Sequence, residues 1–310
     1  MFRFILWRLL QAIPVLFVVV TVTFFLVRFA PGGPFDDEKA VTREVQAALE
    51  EKYQLDQPLW KQYASYLGDL AQGDLGPSFK YPGRTVNELI ATGFPVTAEL
   101  GLYAILFAVL IGGAAGIVAA IKPNSKQDYI PMSTAMLGIC MPSFLLGPLL
   151  ILVFGIWLEW LPVSGWGDLP GDKILPSITL GAVYAAYIAR LSRSGMLEVL
   201  SQDYIRTAKA KGLPQRIIIF KHALRGGMLP VVAYLGPAFA GILSGSFVVE
   251  TVFQIHGLGR FYVKAAFNRD YTMVLGCTLF LAALIIVFNL LSDVLAAWLN
   301  PRQRAEMERS

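Results

Sequence analysis

Residues 203–230 read DYIRTAKAKGLPQRIIIFKHALRGGMLP. This basic stretch lies between two hydrophobic runs, so the chain enters an apolar phase on either side of it. Within it, Asp203 can cap a helix start, because a carboxylate accepts orphan backbone N–H groups. Gly212 can end the helix in the left-handed conformation, and Pro214 blocks its continuation. Tyr204, Thr207, Ala208 and Lys211 share one face at helical spacing. That face is mostly small, which suits close approach by another protein. The helix has no evident apolar stripe to hold it against its own spans, which predicts that its order comes from a partner. The alternative is a solvated basic loop whose charge only fixes topology.

Composition agrees with a membrane setting. Hydrophobic residues make up 55% of the chain and charged residues 15%, against about 25% charged in a soluble domain. Mean hydropathy is +0.57. Runs long enough to cross a bilayer occur about six times, near 9–29, 97–121, 134–158, 177–194, 229–253 and 273–299. The third contains Pro142, Gly147 and Pro148, which predicts a bend or break. The fourth is short and ends among Arg190 and Arg193, which can snorkel to the headgroups.

Net charge is only +4, but its distribution orients the chain. Lys and Arg gather at the N-terminus (Arg3, Arg8), between the second and third spans (Lys122, Lys126), between the fourth and fifth (Arg206, Lys209, Lys211, Arg216, Lys221, Arg225) and at the C-terminus (Arg302, Arg304, Arg309). Six spans place all four regions on one side, which the positive-inside rule makes cytoplasmic. The opposite loops are acidic, with Asp36, Asp37, Glu38, Glu44, Glu50, Glu51 and Asp56 in the first, then Glu159, Asp168 and Asp172. The last outer loop departs from this, carrying Arg260, Lys264 and Arg269 against Asp270. The N-terminal run is longer than a signal-peptide core, and Arg28-Phe29-Ala30 is a poor cleavage site, so the reading keeps it as the first span.

Residues with reactive side chains are sparse. Cys140 and Cys277 both lie in hydrophobic runs and read as buried structural thiols. His222 and His256 lie in loops without partners at metal-ligand spacing. No HExxH and no GxxxxGK[ST] phosphate loop occurs. The chain therefore has no visible means of hydrolysing ATP or of metal-assisted hydrolysis. A secondary transporter would place coupling acids deep in several spans, yet the span interiors are almost free of charge apart from Asp293.

The loop from about Pro31 to Pro95 is too long for a plain connector. Thr42 can cap a helix carrying Val45, Leu49 and Tyr53. After Pro58, the residues Leu59, Tyr63, Tyr66, Leu67 and Leu70 form a second apolar stripe. Gly73, Asp74, Gly76, Pro77, Pro82 and Gly83 read as turns. Two GxxxG steps, Gly112/Gly116 and Gly241/Gly245, can let helices pack closely in lipid. Gly236, Pro237, Gly241, Ser244, Gly245 and Ser246 make the fifth span small and polar, with Glu250 at its end. Either Glu250 faces water at the span end, or the helix lines a pore with this carboxylate near its outer mouth. Glu99 near the start of the second span has the same two readings.

The stretch IRTAKAKGL followed by HALRGGMLPVV resembles the cytoplasmic signature loop of the permease subunits of ATP-binding-cassette (ABC) importers. More closely, the chain resembles the B-type permease subunit of bacterial oligopeptide and dipeptide importers. The supporting strings run almost end to end: RFAPGGPF, GDLGPSFKY, FPVTAELG, MPSFLLGPLLIL, LPVSGWG, GPAFAGILSGSFVVET and NRDYTMVLG. The family's signature reads Glu-Ala-Ala, three residues, then Gly. Here Arg206, Thr207 and Ala208 hold the first three places and Gly212 the last, so the acidic first position has become arginine.

The resemblance implies an all-α membrane protein of about six transmembrane helices with the type I ABC importer permease fold. It divides the chain into an N-terminal anchor and first span (1–30), an extracytoplasmic loop (31–95) and a core permease domain (96–310) whose coupling loop lies near 195–228. It implies a coupling helix toward an ATPase subunit made of Asp203, Tyr204, Ile205, Arg206, Thr207, Ala208, Lys209, Ala210, Lys211 and Gly212. It implies a bacterial inner-membrane location, multi-pass, with both termini cytoplasmic. The expected partners are a second homologous permease, two cytoplasmic ATPase subunits, an extracytoplasmic peptide-binding protein and membrane lipid, with no nucleic acid. No cofactor is expected on this chain; ATP and magnesium belong to the ATPase subunits. The implied cargo is an oligopeptide, with dipeptides, nickel chelates and glutathione-type solutes as alternatives in the same family.

Overall fold

The computed structural model describes residues 2–30, 33–34 and 54–299. The helix expected after Thr42 falls outside these residues, as do Arg302, Arg304 and Arg309. Among the described residues the chain is helical throughout, with no strand. Helix α1 spans Phe2–Phe29, α2 Leu59–Ala71 and α3 Val86–Ile121. Helix α4 spans Lys126–Cys140, α5 Ser143–Trp157 and α6 Ile174–Leu200. Helix α7 is the short Asp203–Ala210, and α8 covers residues 215–227. Helices α9 (Leu229–Gly245) and α10 (Phe247–Val252) are nearly continuous. Helices α11 (Leu258–Phe267) and α12 (Tyr271–Leu299) close the described chain.

The membrane-crossing helices are longer than the hydropathy runs suggest, because polar signals extend them. Helix α3 starts at a capping box: the Thr85 hydroxyl accepts from Glu88 N, and the Glu88 carboxylate accepts from Thr85 N. Two orphan donors of the first turn are thereby satisfied. Helix α6 runs 27 residues, or about 40 Å at ~1.5 Å per residue, so the fourth span is not short. It is also the most buried crossing helix. Its small residues admit neighbours on several sides. Gly112 and Gly116 of α3 face the Ala185 and Ala189 carbonyls so closely that no Cβ fits. Gly138 of α4 faces the Ala182 carbonyl in the same way. The first GxxxG step is thus a helix seam.

The third span is broken where proline demands it. Helices α4 and α5 meet at Met141-Pro142 and are bent by 110°. Together they pack along about half the length of α6. Asp128, in the first turn of α4, binds Arg193, whereas Gly147 of α5 lies against Thr179. Those two positions on α6 are about 21 Å apart at ~1.5 Å per residue. Counting the pair as one broken span gives six crossing elements.

Helix α1 exposes most of its apolar surface, including Leu10, Ile13, Phe17 and Leu26. It packs on α12 through Val20, Phe24 and Leu275, joined by Tyr63, Tyr66, Leu67 and Leu70 of α2. The stripe read after Pro58 therefore faces α1. At the other end of the α1–α12 pair, Arg8 and Asp293 form an ion pair of 2.8 Å. This explains the one acid of the last span. Cys277 is buried as expected, but Cys140, the last residue of α4, is exposed.

Candidate coupling and translocation sites

Helix α7 forms where the sequence places it, but its first turn is held differently. The N-cap is Gln202, without a side-chain cap bond, and Asp203 is the first helical residue, bound by Arg206 Nη1 at 3.2 Å. Asp203 still complements the positive helix end. The C-terminal end is as read. Gly212 takes φ +75°, its N–H donates to the Lys209 carbonyl at 2.9 Å, and Pro214 follows.

The expectation that α7 lacks an apolar seat is overturned. Ile205 and Ala208 are buried among Ala120, Met196, Ile218, Ile219 and Ala223. They project from α7 three positions apart, which is one face of a helix. The four residues assigned to one face therefore divide: Ala208 points inward, while Tyr204, Thr207 and Lys211 are exposed. Pairing Ala208 with exposed residues failed because an alanine has no amphipathic signal of its own.

The outward side of the α7–α8 unit is basic and partly aromatic. Lys209, Lys211, Arg216, Lys221 and Arg225 are exposed on it, with Tyr204, Ile217 and Phe220. Phe220, on α8, is 67% exposed. Below this surface, Gly195 of α6 meets the Gly227 carbonyl without room for a Cβ. The α7–α8 unit is thus seated rigidly on the ends of α3 and α6.

The small-residue helix α9 splits into two faces. Gly236 fits against Ser292 and the Phe288 carbonyl of α12, and a Cβ there has no space. Gly236 and Ser246 are buried. Pro237 and Ser244 are exposed, and Gly241 and Gly245 are half-buried on the same side. A Cβ on Gly241 meets Tyr184, its hydroxyl nearest at 2.7 Å, and one on Gly245 meets nothing within 4 Å. The second GxxxG step is therefore not a helix seam within this chain.

Glu250 faces neither water nor an opening. It is fully buried, accepting from the Thr97 and Ser246 hydroxyls at 2.7 and 2.8 Å and from Arg260 N at 2.9 Å. Thr97 in turn accepts from Leu258 N at 2.8 Å. Both sequence readings of this residue are corrected: it fastens α3, α10 and the start of α11 together. Burial followed from the α10–α11 turn folding back over it, which no local pattern announces.

Glu99 sits at the same end of the bundle, in a partly exposed cluster. Lys173 Nζ donates to it at 2.6 Å and Trp166 Nε1 at 2.9 Å. Lys173 also lies over the Tyr103 and Trp166 rings. Its pKa is raised, first by the hydrogen bond to Glu99. Beside this cluster opens an apolar cavity of about 900 Å³ lined by Tyr103, Leu106, Leu110 and Ile178.

Three polar nodes escaped sequence reading. Arg193 does not reach for headgroups; it makes a bidentate ion pair with buried Asp128, both bonds 2.7 Å. A sequence signal existed, since Ser125 and Asp128 stand at N-cap spacing and Asp128 also accepts from Asn124 N. Buried Asp270 accepts from the Ser78 hydroxyl and from Phe79 N at 3.2 Å, fixing the GPSFKY turn to α12. The Glu99–Lys173 pair joins residues far apart in sequence, with no spacing rule to reveal it. Among the described residues no group of His, Cys, Asp and Glu is arranged to hold a metal ion.

Comparison with known proteins accounts for a bundle of this kind. Two family profiles match: "binding-protein-dependent transport system inner membrane component" over residues 112–305, and its N-terminal counterpart over residues 1–101. The chain belongs to this transport-system membrane family. It is 52% identical over 305 residues to the oligopeptide transport system permease protein OppB of Haemophilus influenzae, covering 98% of this chain and all of the relative. The OppB of Salmonella typhimurium gives the same identity and coverage. The dipeptide transport system permease protein DppB of Bacillus subtilis is 43% identical, covering 97% of this chain and 98% of that one. Among solved structures, an inward-facing MetNI methionine ABC transporter chain superposes with a TM-score of 0.56 at 17% identity. It covers 68% of this chain and 96% of that one. The fold is that of the ABC importer permeases, and the chain is a multi-pass membrane permease subunit.

Proposed function

We propose that this permease carries oligopeptides across the cytoplasmic membrane, as one half of a pore completed by a second homologous permease. The observation that carries the cargo is identity: 52% to oligopeptide permeases against 43% to a dipeptide permease, each over nearly the full chain. Two cytoplasmic ATPase subunits supply the work, with ATP and magnesium bound there and no cofactor on this chain. A peptide-binding protein delivers cargo from outside. The Lys and Arg bias supports an orientation with both termini and α7 in the cytoplasm and the loop before α3 outside.

The coupling element in this reading is residues 203–212, with its contact surface shifted by the seat of Ile205 and Ala208. Tyr204, Arg206, Thr207, Lys209 and Lys211, extended by Phe220 of α8, meet a groove on the ATPase. The translocation wall is the open side of α9: Pro237, Gly241, Ser244 and Gly245. Gly236, Ser246 and Glu250 support that wall from behind, where they are buried. ATPase closure pushes α7, and the seat passes the displacement to α3 and α6.

The test is reconstitution with its ATPase subunits, second permease and binding protein, reading peptide uptake and peptide-stimulated ATP hydrolysis together. A tri- to pentapeptide library should compete for uptake better than dipeptides. Preference for dipeptides alone would overturn the cargo. Labelling of a cysteine placed at Arg206 by an impermeant reagent in intact cells would overturn the orientation.

A further inference from the structure

We infer that the end of α1 nearest α2 holds a small monovalent anion, of chloride or carboxylate-group size, between Arg28 and Tyr66. A cavity of about 180 Å³ lies there between α1, α2 and the turn at Gly76–Phe79. At ~30 Å³ per water, it admits such an anion with a few waters, but not a peptide.

Two donors in its wall have no acceptor. The Arg28 guanidinium lies 3.8 Å over the Phe24 ring, and its Nε donates to Gln62 Oε1 at 2.9 Å. Its Nη1 is buried and has no hydrogen-bond partner. The Tyr66 hydroxyl is also buried and without a partner. Gln62 has no free donor to share, because its amide nitrogen binds the Leu55 and Gln57 carbonyls at 3.1 and 2.7 Å.

Charge is equally unbalanced. Among the described residues no carboxylate lies within ion-pair distance of Arg28. Asp69 lines the cavity but is exposed and makes no such pair. A half-buried guanidinium with a buried nitrogen and no counter-charge is costly, and an orphaned buried hydroxyl adds to that cost. Burial pushes the Tyr66 hydroxyl up to about 12, so it remains a neutral donor at any physiological pH. Water in the cavity can accept these hydrogens but brings no charge. A monovalent anion satisfies both orphan donors and the guanidinium together.

The test measures thermal unfolding of the full-length permease in nanodiscs at constant ionic strength. The anion is varied from a bulky sulfonate, too large to enter, to chloride and to acetate. A saturable rise in Tm with chloride or acetate is expected, and the arm that saturates at lower concentration identifies the occupant. Tyr66→Phe removes one donor and should raise the half-saturating concentration about ten-fold. Arg28→Met should abolish the anion effect, and in sulfonate should be no less stable than the parent. Identical Tm values in all three anions would overturn the inference. So would equal destabilisation of Arg28→Met in every anion, which would assign the counter-charge to an acid of the chain itself. Unchanged half-saturation in Tyr66→Phe would move the anion to another site.

Discussion

Ile205→Ala separates a seated coupling helix from one that merely docks. The side chain is fully buried, in a cluster that joins α7 to α3, α6 and α8. The change removes three carbons, worth about 2.4 kcal/mol at ~0.8 kcal/mol per buried methylene. The cavity left behind brings the total to about 3–4 kcal/mol. Only Ile205 and Ala208 seat this eight-residue helix, and a helix so short is not stable alone. At ~1.4 kcal/mol per decade, the ratio of seated to unseated α7 should fall on the order of several hundred-fold. The remaining buried clusters are untouched, so insertion and assembly should persist. In reconstituted complexes the peptides carried per ATP hydrolysed should fall at least ten-fold, while basal ATP hydrolysis stays within about two-fold. Ile205→Val removes one methyl group, about 0.5–1.5 kcal/mol, and should lie between the two. Tyr204→Ala, on the exposed side, should weaken ATPase attachment without unseating α7. Wild-type coupling in Ile205→Ala would refute the seat as the transmission element.

Gly212→Val keeps every charge and has free space, but φ +75° is strained for a β-branched residue. It should cost about 1 kcal/mol or more and lower coupling with insertion intact, as uptake and surface-expression assays would report. Gly245→Leu should block uptake without lowering Tm, because its Cβ meets nothing, whereas Gly241→Leu should do both through Tyr184; normal uptake by Gly245→Leu would remove it from the wall. Glu250→Gln turns an amide donor toward Arg260 N or the two hydroxyls, leaving a buried polar group unsatisfied at about 1–3 kcal/mol, and should lower Tm with expression reduced. The raised pKa of Lys173 means that its pairing with Glu99 stabilises fully below the ordinary lysine value of 10.5 and is lost only as pH rises through the higher folded value. The Tm difference between wild type and Lys173→Met should therefore be flat from pH 6 to 9, and a steep change in that range would contradict the pairing.

The amino-acid sequence by itself determined the phase and the order of this protein. Runs of twenty or more apolar residues have one stable environment, and their number, the proline break at 142 and the Gly212 helix stop are local properties that hydropathy and backbone chemistry dictate. Family strings such as IRTAKAKGL and GPAFAGILSGSFVVET are likewise local, which is why a short helix beginning near Asp203 and ending before Gly212 was legible. Which face of that helix is buried was not, because Ala208 turns inward only when Ile205 meets Ile218, Met196 and Ala120. The fate of Glu250 was decided by Thr97 and Arg260, 153 and 10 residues away in the chain. The same holds for Arg193 and Asp128 and for Arg8 and Asp293. A lone charge near a membrane span reads as exposed until its partner is known. Partners across helices are set by packing geometry, to which hydropathy and spacing are blind. Tertiary structure therefore sorted the small residues of α9, placing Gly236 against Ser292 and leaving Gly245 open.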